Sequence, residues 1–255
     1  MIYEITDTKT VSPLFCNWEE TLIWSCLQGI MGKIYADDQD QPAAAMAVIG
    51  DFIFFAGKPN PELISYKPDW YTKPYVIMVP QSEDWTHLIS RLYGSRATMA
   101  TRYALKKEPD VFNITQLKQA VEALPEEYEI SMIDQNLYEL CKSEIWTTDL
   151  VSQFPTYEDF RRLGIGVVIC QNHTILSGAS SYTRYRDGIE IQINTRDGFR
   201  RRGLAYICAS KLILECLERN LYPSWDAQNQ ASVALAEKLG YHYSHPYAVL
   251  EIRNY

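Results

Sequence analysis

The sequence predicts an α/β (α+β) chain in which mixed sheets are flanked by helices, and three observations carry that prediction. Short β-branched and aromatic runs alternate with segments of helical period along the 255 residues. Gly, Asn, Asp and Pro separate them at close intervals. The stretch from Glu190 to Asn220, EIQINTRDGFRRRGLAYICASKLILECLERN, joins a short alternating strand, a basic glycine-containing loop and a long apolar helix.

In the first half, Asn17 with Glu20 has capping-box spacing and predicts a helix to about Met31. Strands are expected at 33–37, 43–49 and 52–56, the last two joined at Gly50-Asp51. Pro59-Asn60-Pro61 opens a short helix, Tyr75–Val79 is a strand, and Ser82 caps a helix that stops at Gly94. Ala97–Leu105 reads as a strand, and Thr115 caps a helix ending before Pro125.

In the second half, Tyr128–Ile133 is a strand, Asp134–Lys142 a helix, and Thr156–Leu163 a helix closed by Gly164. Strands follow at 165–171, 174–183 and 188–195. In the next helix Ala205, Cys208 or Ala209, Leu212 and Cys216 fall at helical spacing, with few polar residues between them, so the helix is largely buried. A strand at 223–227, a helix from Asn229 to Leu239 and a final strand pair to Ile252 complete the pattern.

Composition narrows the classes of function. A net charge of −8 argues against nucleic acid as a partner. The longest apolar stretch, Ala43 to Gly57, is interrupted by Gly50 and Asp51 and is too short to span a bilayer, so no membrane partner is expected. No basic segment with an apolar core opens the chain, which predicts a cytoplasmic location. The six cysteines form no C-x-x-C pair and read as buried free thiols in a reducing compartment. His242 and His245 lack a companion cluster, so no metal is expected. Neither a G-x-S-x-G elbow nor a Walker loop is present.

Against this acidic background, six arginines fall between Arg184 and Arg202. A strand feeding a basic glycine loop into a helix start makes an anion site: the first helical N–H groups lack partners and carry partial positive charge. Gly203 lets the backbone approach a pyrophosphate, and small Ala205 lets the helix pack on its strand. Arg200-Arg201-Arg202-Gly203-Leu204-Ala205 fits the R-x-x-G-x-A form and resembles the acyl-CoA loop of the GNAT superfamily of N-acetyltransferases. Asn229, opening NQASVALAEKLGY, is similar to that superfamily's closing helix and the G-Y step after it. The pieces EIQINT, RRRGLA, WDAQN and LAEKLGY look like the GNAT subfamily that includes zwittermicin-resistance-type acetyltransferases.

The resemblance implies a GNAT domain at 125–255 that takes acetyl-CoA as co-substrate. It implies that Ile193, Asn194 and Thr195 end the strand binding the pantetheine arm, that Arg200 to Tyr206 cradle the pyrophosphate, and that Asn229 meets the cofactor. The plainer readings are a strand end, a solvated basic turn and a helix N-cap. Seven residues beyond Asn229, where many members carry a proton-donating tyrosine, this chain has Ala236; Tyr206, Tyr241 and Tyr243 are the substitutes on offer. Glu190 is the candidate general base, alternatively a strand-end glutamate facing solvent, and Asp226 at the end of the next strand is its competitor. Trp146 and Trp225 are candidate pocket walls or core residues.

Residues 1–124 repeat much of the second half's element order. They read either as a degenerate GNAT-like half or as a generic α/β domain. At the equivalent loop, Pro59 and Pro61 remove two of the amides a pyrophosphate requires. The expected activity is transfer of an acetyl group to the amine of a small molecule by direct attack on the thioester, in a monomer or homodimer. The alternatives are a non-catalytic acyl-CoA-binding module and a peptide N-acetyltransferase.

Overall fold

The computed structural model describes all 255 residues. The chain divides into two compact units, Met1–Arg102 with Pro246–Tyr255, and Tyr103–His245. The first unit begins with β1 (Tyr3–Ile5), a 3-10 turn at Ser12–Phe15 and α1 (Thr21–Leu27). It continues through β2 (Lys33–Ala36), β3 (Ala44–Ile49), β4 (Phe52–Gly57), α2 (Pro61–Ser65), β5 (Tyr75–Pro80), α3 (Glu83–Tyr93) and β6 (Ala97–Leu105), whose end enters the second unit. The second unit carries α4 (Ile114–Glu122), β7 (Glu129–Met132), α5 (Gln135–Ser143), α6 (Ile145–Thr148), α7 (Tyr157–Leu163), β8 (Gly166–Gln171) and β9 (Thr174–Tyr185). Then come β10 (Gly188–Thr195), α8 (Leu204–Glu218), β11 (Tyr222–Ser224), β12 (Asp226–Ala227), α9 (Gln230–Leu239) and β13 (Tyr243–Arg253), which ends in the first unit.

The two units repeat one strand plan. In the first, β1 to β4 are joined by successive antiparallel pairings and β4 pairs parallel with β5. In the second, β7 to β10 are antiparallel in the same succession and β10 pairs parallel with β11. Each parallel crossover contains a helix, α2 in one case and α8 in the other.

The core of the first unit gathers Met46, Phe55, Met78, Trp85 and Leu250. Every residue of β3 is buried, as its unbroken apolar run requires of a strand covered on both faces. The second core packs Ile189 and Ile191 of β10 against Cys208, Leu212 and Ile213 of α8. Alternation then turns Glu190, Gln192 and Asn194 to the opposite face of β10.

Several boundaries differ from the sequence expectation for local reasons. Tight turns use the amides of Trp18 and Glu20, so Glu20 rather than Asn17 caps α1, accepting from Leu22 N. Asn113, not Thr115, caps α4 by accepting from Gln116 N at 3.1 Å. The expected final strand pair is one continuous strand, Tyr243–Arg253. Trp225 interrupts the strand expected at 223–227: β11 pairs with β10, whereas β12 pairs with the end of β6.

The units are also drawn differently from a cut at 124/125. Leu105 and Leu117 are buried with Leu204 and Leu212 in the second core. At the other end, Leu250 and Ile252 join the first core through the β13–β5 pairing. All six cysteines are free: Cys26, Cys141, Cys208 and Cys216 are buried as expected, Cys170 is half-buried and Cys16 is exposed. Burial pushes the thiols of Cys141, Cys208 and Cys216 up to about 12.

Leu250→Ala should therefore destabilise the first unit by about 2–5 kcal/mol, the usual range for truncating a buried leucine. Urea denaturation of the full chain measures this. A transition unchanged from wild type would place Leu250 outside that core.

Candidate active site

The geometry of the site starts from a strand pair that parts early. β10 and β11 are in parallel register from Gly188↔Tyr222 to Glu190↔Ser224, and β11 ends there. β10 runs on to Thr195, paired along its other edge with β9. Its edge beyond Glu190 therefore has no strand partner on the β11 side, and a cleft of about 1020 Å³ opens beside it. Ile193, Asn194 and Thr195 line one wall, with Trp225, Asn229 and α9 residues opposite.

The basic loop closes one end. Arg200, Arg201 and Gly203 to Tyr206 line the cleft. Arg201 and Gly203 both take left-handed backbone, with φ of 60° and 84°. A Cβ placed on Gly203 would meet no atom within 4 Å, so the loop backbone borders open space. No side chain caps α8, which leaves its first-turn N–H groups available at the positive end of a helix of 15 residues. Lys238 lines the same cleft and no carboxylate does. Open amides, a glycine approach and three cations fit a pyrophosphate.

Two arginines of the loop behave differently from their neighbour Arg201. Arg200 pairs with Asp197 at 2.9 Å at the surface. Arg202 lies over the Phe199 ring at 4.7 Å and does not line the cleft, unlike its expected place in the cradle. Asn229 combines both of its readings: its Oδ1 accepts from Ser232 N at 3.0 Å as the α9 cap, and it lines the cleft. Trp225 also lines the cleft and donates from Nε1 to Ser232 Oγ at 3.1 Å.

The candidate acid–base groups separate by depth. Glu190 is 5% exposed, in register with Thr183 on β9 and Ser224 on β11, so a buried polar row crosses the sheet where the strands part. Tyr185 extends the row, its hydroxyl 3.3 Å from Ser224 Oγ. Asp226 follows the parting on the other arm and is half-buried. Neither carboxylate is in the cleft lining, and neither is a solvent-facing strand end.

Of the substitute tyrosines, Tyr206 lines the cleft and accepts from Gln116 Nε2 at 3.1 Å. Tyr241 is a core residue that donates to Pro223 O, and burial holds its hydroxyl far above the usual range. Tyr243 lies beside Tyr103 with the two rings tilted and does not line the cleft. Ala236 is buried in the core of α9. Gln116 and Lys238 were absent from the sequence expectation. Lys238 shares a helical face with Ala231 and Leu235, a spacing visible once Asn229 starts the helix. Gln116 comes from a helix that sequence order assigned to the other half.

The first unit is closed where the second is open. β4 and β5 stay paired from Phe52↔Ile77 to Phe55↔Pro80, and Gln81 N continues the ladder to Phe55 O at 3.1 Å. Gly57 N donates to Gln81 Oε1 at 2.8 Å and Lys58 N to Ala43 O at 2.8 Å. The Glu62 and Leu63 amides are taken by Asn60 Oδ1. A Cβ on Gly57 would lie 2.3 Å from Ala43 O, so that glycine serves close packing.

Residues 12–250 match the family profile of GNAT acetyltransferases. The chain belongs to the GNAT acetyltransferase family. It is 44% identical to a GCN5-related N-acetyltransferase-like protein of Streptococcus suis 89/1591, matching its crystal structure with a TM-score of 0.91 over 97% of this chain and 98% of that one. It is 26% identical over 232 residues to the uncharacterized N-acetyltransferase YdfB of Bacillus subtilis, covering 87% of this chain and 86% of the relative. A tandem GNAT protein from the clavulanic acid biosynthesis pathway shares the fold, with a TM-score of 0.54 and 10% identity over 100% of this chain and 99% of that one. As a GNAT member the chain is an acetyltransferase, and the family implies acetyl-CoA as donor and an acceptor substrate. No helix of this GNAT protein is long and apolar enough to cross a membrane, and no group of three or more His, Cys, Asp or Glu residues is placed to hold a metal ion.

Gly203→Ala should lower stability by about 1–2 kcal/mol, the cost of left-handed backbone for an L-residue, since its added methyl meets nothing. Gly198→Ala, at an ordinary φ and also unobstructed, should stay within about 0.5 kcal/mol of wild type. Paired denaturation curves test the contrast. Equal losses would place the cost elsewhere than in the backbone of the loop.

Proposed function

We propose that the second unit binds acetyl-CoA along the free edge of β10 and transfers its acetyl group to the amine of a small molecule, by direct attack on the thioester. The observation that carries the reading is the early end of the β10–β11 pairing beside an uncapped α8 N-terminus. The donor supplies an activated thioester; the chain supplies position and charge. In this reading the main chain at Ile193 to Thr195 holds the pantetheine arm and polarises the thioester oxygen. Such a backbone donor can contribute about 3–4 kcal/mol to the rate. The α8 amides with Arg201 and Lys238 take the pyrophosphate, and Asn229 flanks the arm.

Glu190 receives the amine proton through water from its buried row at the parting, with Asp226 as the competing group on the other arm. Ala236 has no proton to give, so the departing thiolate takes its proton from another group or from water. The first unit is a degenerate copy whose closed strands and occupied loop amides exclude a cofactor. The likeness to zwittermicin-resistance-type sequences favours an antibiotic-like or amino-acid-like acceptor. Six free cysteines suit a cytoplasmic enzyme, acting as a monomer or homodimer.

One observation favours a second reading. Burial of Ala236 where many relatives carry an acid suits a module that binds acyl-CoA without turnover. A peptide acceptor is the third reading.

Calorimetry should show acetyl-CoA binding to wild type, and loss of it in Gly203→Glu, which puts bulk and negative charge in the open space of the loop. Lys238→Ala should weaken binding roughly tenfold, as loss of one charge-assisted contact of about 1.5 kcal/mol implies. A folded wild type that binds no acetyl-CoA ends the enzyme reading. Binding without turnover across small amines and peptides selects the binding module.

A further inference from the structure

Asn194 does two things at once. It lines the cleft, and its main-chain carbonyl accepts from the buried Ser177 Oγ at 3.2 Å. Its side chain turns to the other face of β10, where Nδ2 donates to Trp146 O at 2.8 Å. The amide is fixed in that direction because its Oδ1 accepts from Gln192 Nε2 at 3.2 Å. The strand proposed to take the donor is thus fastened by one side chain to the single turn of α6.

Two charged groups hold the ring of Trp146. Its Nε1–H donates to Glu144 Oε2 at 2.7 Å, and the same oxygen accepts from Arg196 Nη2 at 2.6 Å. The Arg196 guanidinium lies over the indole, 5.4 Å from the ring centroid. Arg196 is itself held to β9: its backbone N donates to Leu176 O at 2.8 Å and its Nε to Ile175 O at 3.3 Å. A half-buried ring is therefore oriented by two charged groups and tied to β10 through its own carbonyl. Beside it Ile145 is 95% exposed, so this turn presents its outer side to solvent.

A ring needed only to fill space has no use for this arrangement. Apolar neighbours would hold it at lower desolvation cost than an ion pair does. We infer that Glu144 and Arg196 are positioning residues acting through Trp146, and that Asn194 couples the indole to donor binding on β10. The inference rests on the acyl-CoA reading of the cleft. Engagement of the Ile193–Thr195 main chain bears directly on Asn194, and the Asn194–Trp146 hydrogen bond passes the displacement to the ring. Donor binding and ring orientation then share a coupling free energy and influence each other reciprocally.

The test titrates acetyl-CoA into the full chain and records heat and tryptophan emission together, in wild type, Trp146→Phe and Glu144→Ala. Trp225 lines the cleft and responds to ligand directly, so the wild-type minus Trp146→Phe difference isolates Trp146. That difference should change along the calorimetric isotherm. Glu144→Ala should lose most of the Trp146 response while its affinity stays within about fivefold, because a half-exposed ion pair contributes little by itself. Glu144→Gln carries the same comparison should the alanine variant fold poorly. Heat of binding with no Trp146 response in wild type overturns the coupling and leaves the cofactor site standing. An undiminished response in a folded Glu144 variant overturns the positioning role. Absence of heat in wild type removes the acyl-CoA reading and the coupling with it.

Discussion

The register between β10 and β11 stops at Glu190↔Ser224, and the arrangement of the site depends on that stop. A parallel ladder satisfies main-chain groups on both strands as far as it runs. Ending one strand early leaves the other with an edge that must find a partner elsewhere, whether solvent or a bound molecule. The opening coincides with a shift of the β10–β9 register between Glu190 and Ile191; β11 is short, and the chain leaves it to pair with β6 through Asp226 and Ala227. Trp225, between the two pairings, is left facing the cleft. Glu190 is buried because the sheet is still continuous at its level.

The comparison between units shows how little separates an open site from a closed one. Both carry a parallel strand pair with a helical crossover in the same place. In the first unit, β5 keeps pace with β4, prolines stand where amides would be needed, and Gln81 and Asn60 consume those that remain. Each difference is local and satisfies polar groups internally.

What was legible in the sequence was what is encoded locally. The strand–loop–helix at 190–220 was readable because glycine, basic residues and helical period lie within one stretch. Asn229 was readable because a helix cap and an apolar period follow directly from residue order. The burial of Glu190 was not, since it depends on Thr183 and Ser224 arriving from other strands. Arg202 could not be told from Arg201 by sequence, because the backbone turn that sends one onto Phe199 is set by φ values of neighbouring residues. Gln116 was not legible because α4 packs against α8, a contact between residues far apart in the chain.

The route of β13 carries a consequence for how the protein comes to be folded. Residues 246–255 supply Leu250 and Ile252 to a core whose other buried members lie between Tyr35 and Ile89. The other strands of the first unit emerge from the ribosome well before that segment does. The unit's apolar β5 must pass that interval without the strand that pairs with its other edge, in a state prone to self-association. Pairings this distant in sequence also close large loops, which slows the search. A chain of this design completes its first unit only after the second has been made, and chaperone dependence should be read in that light.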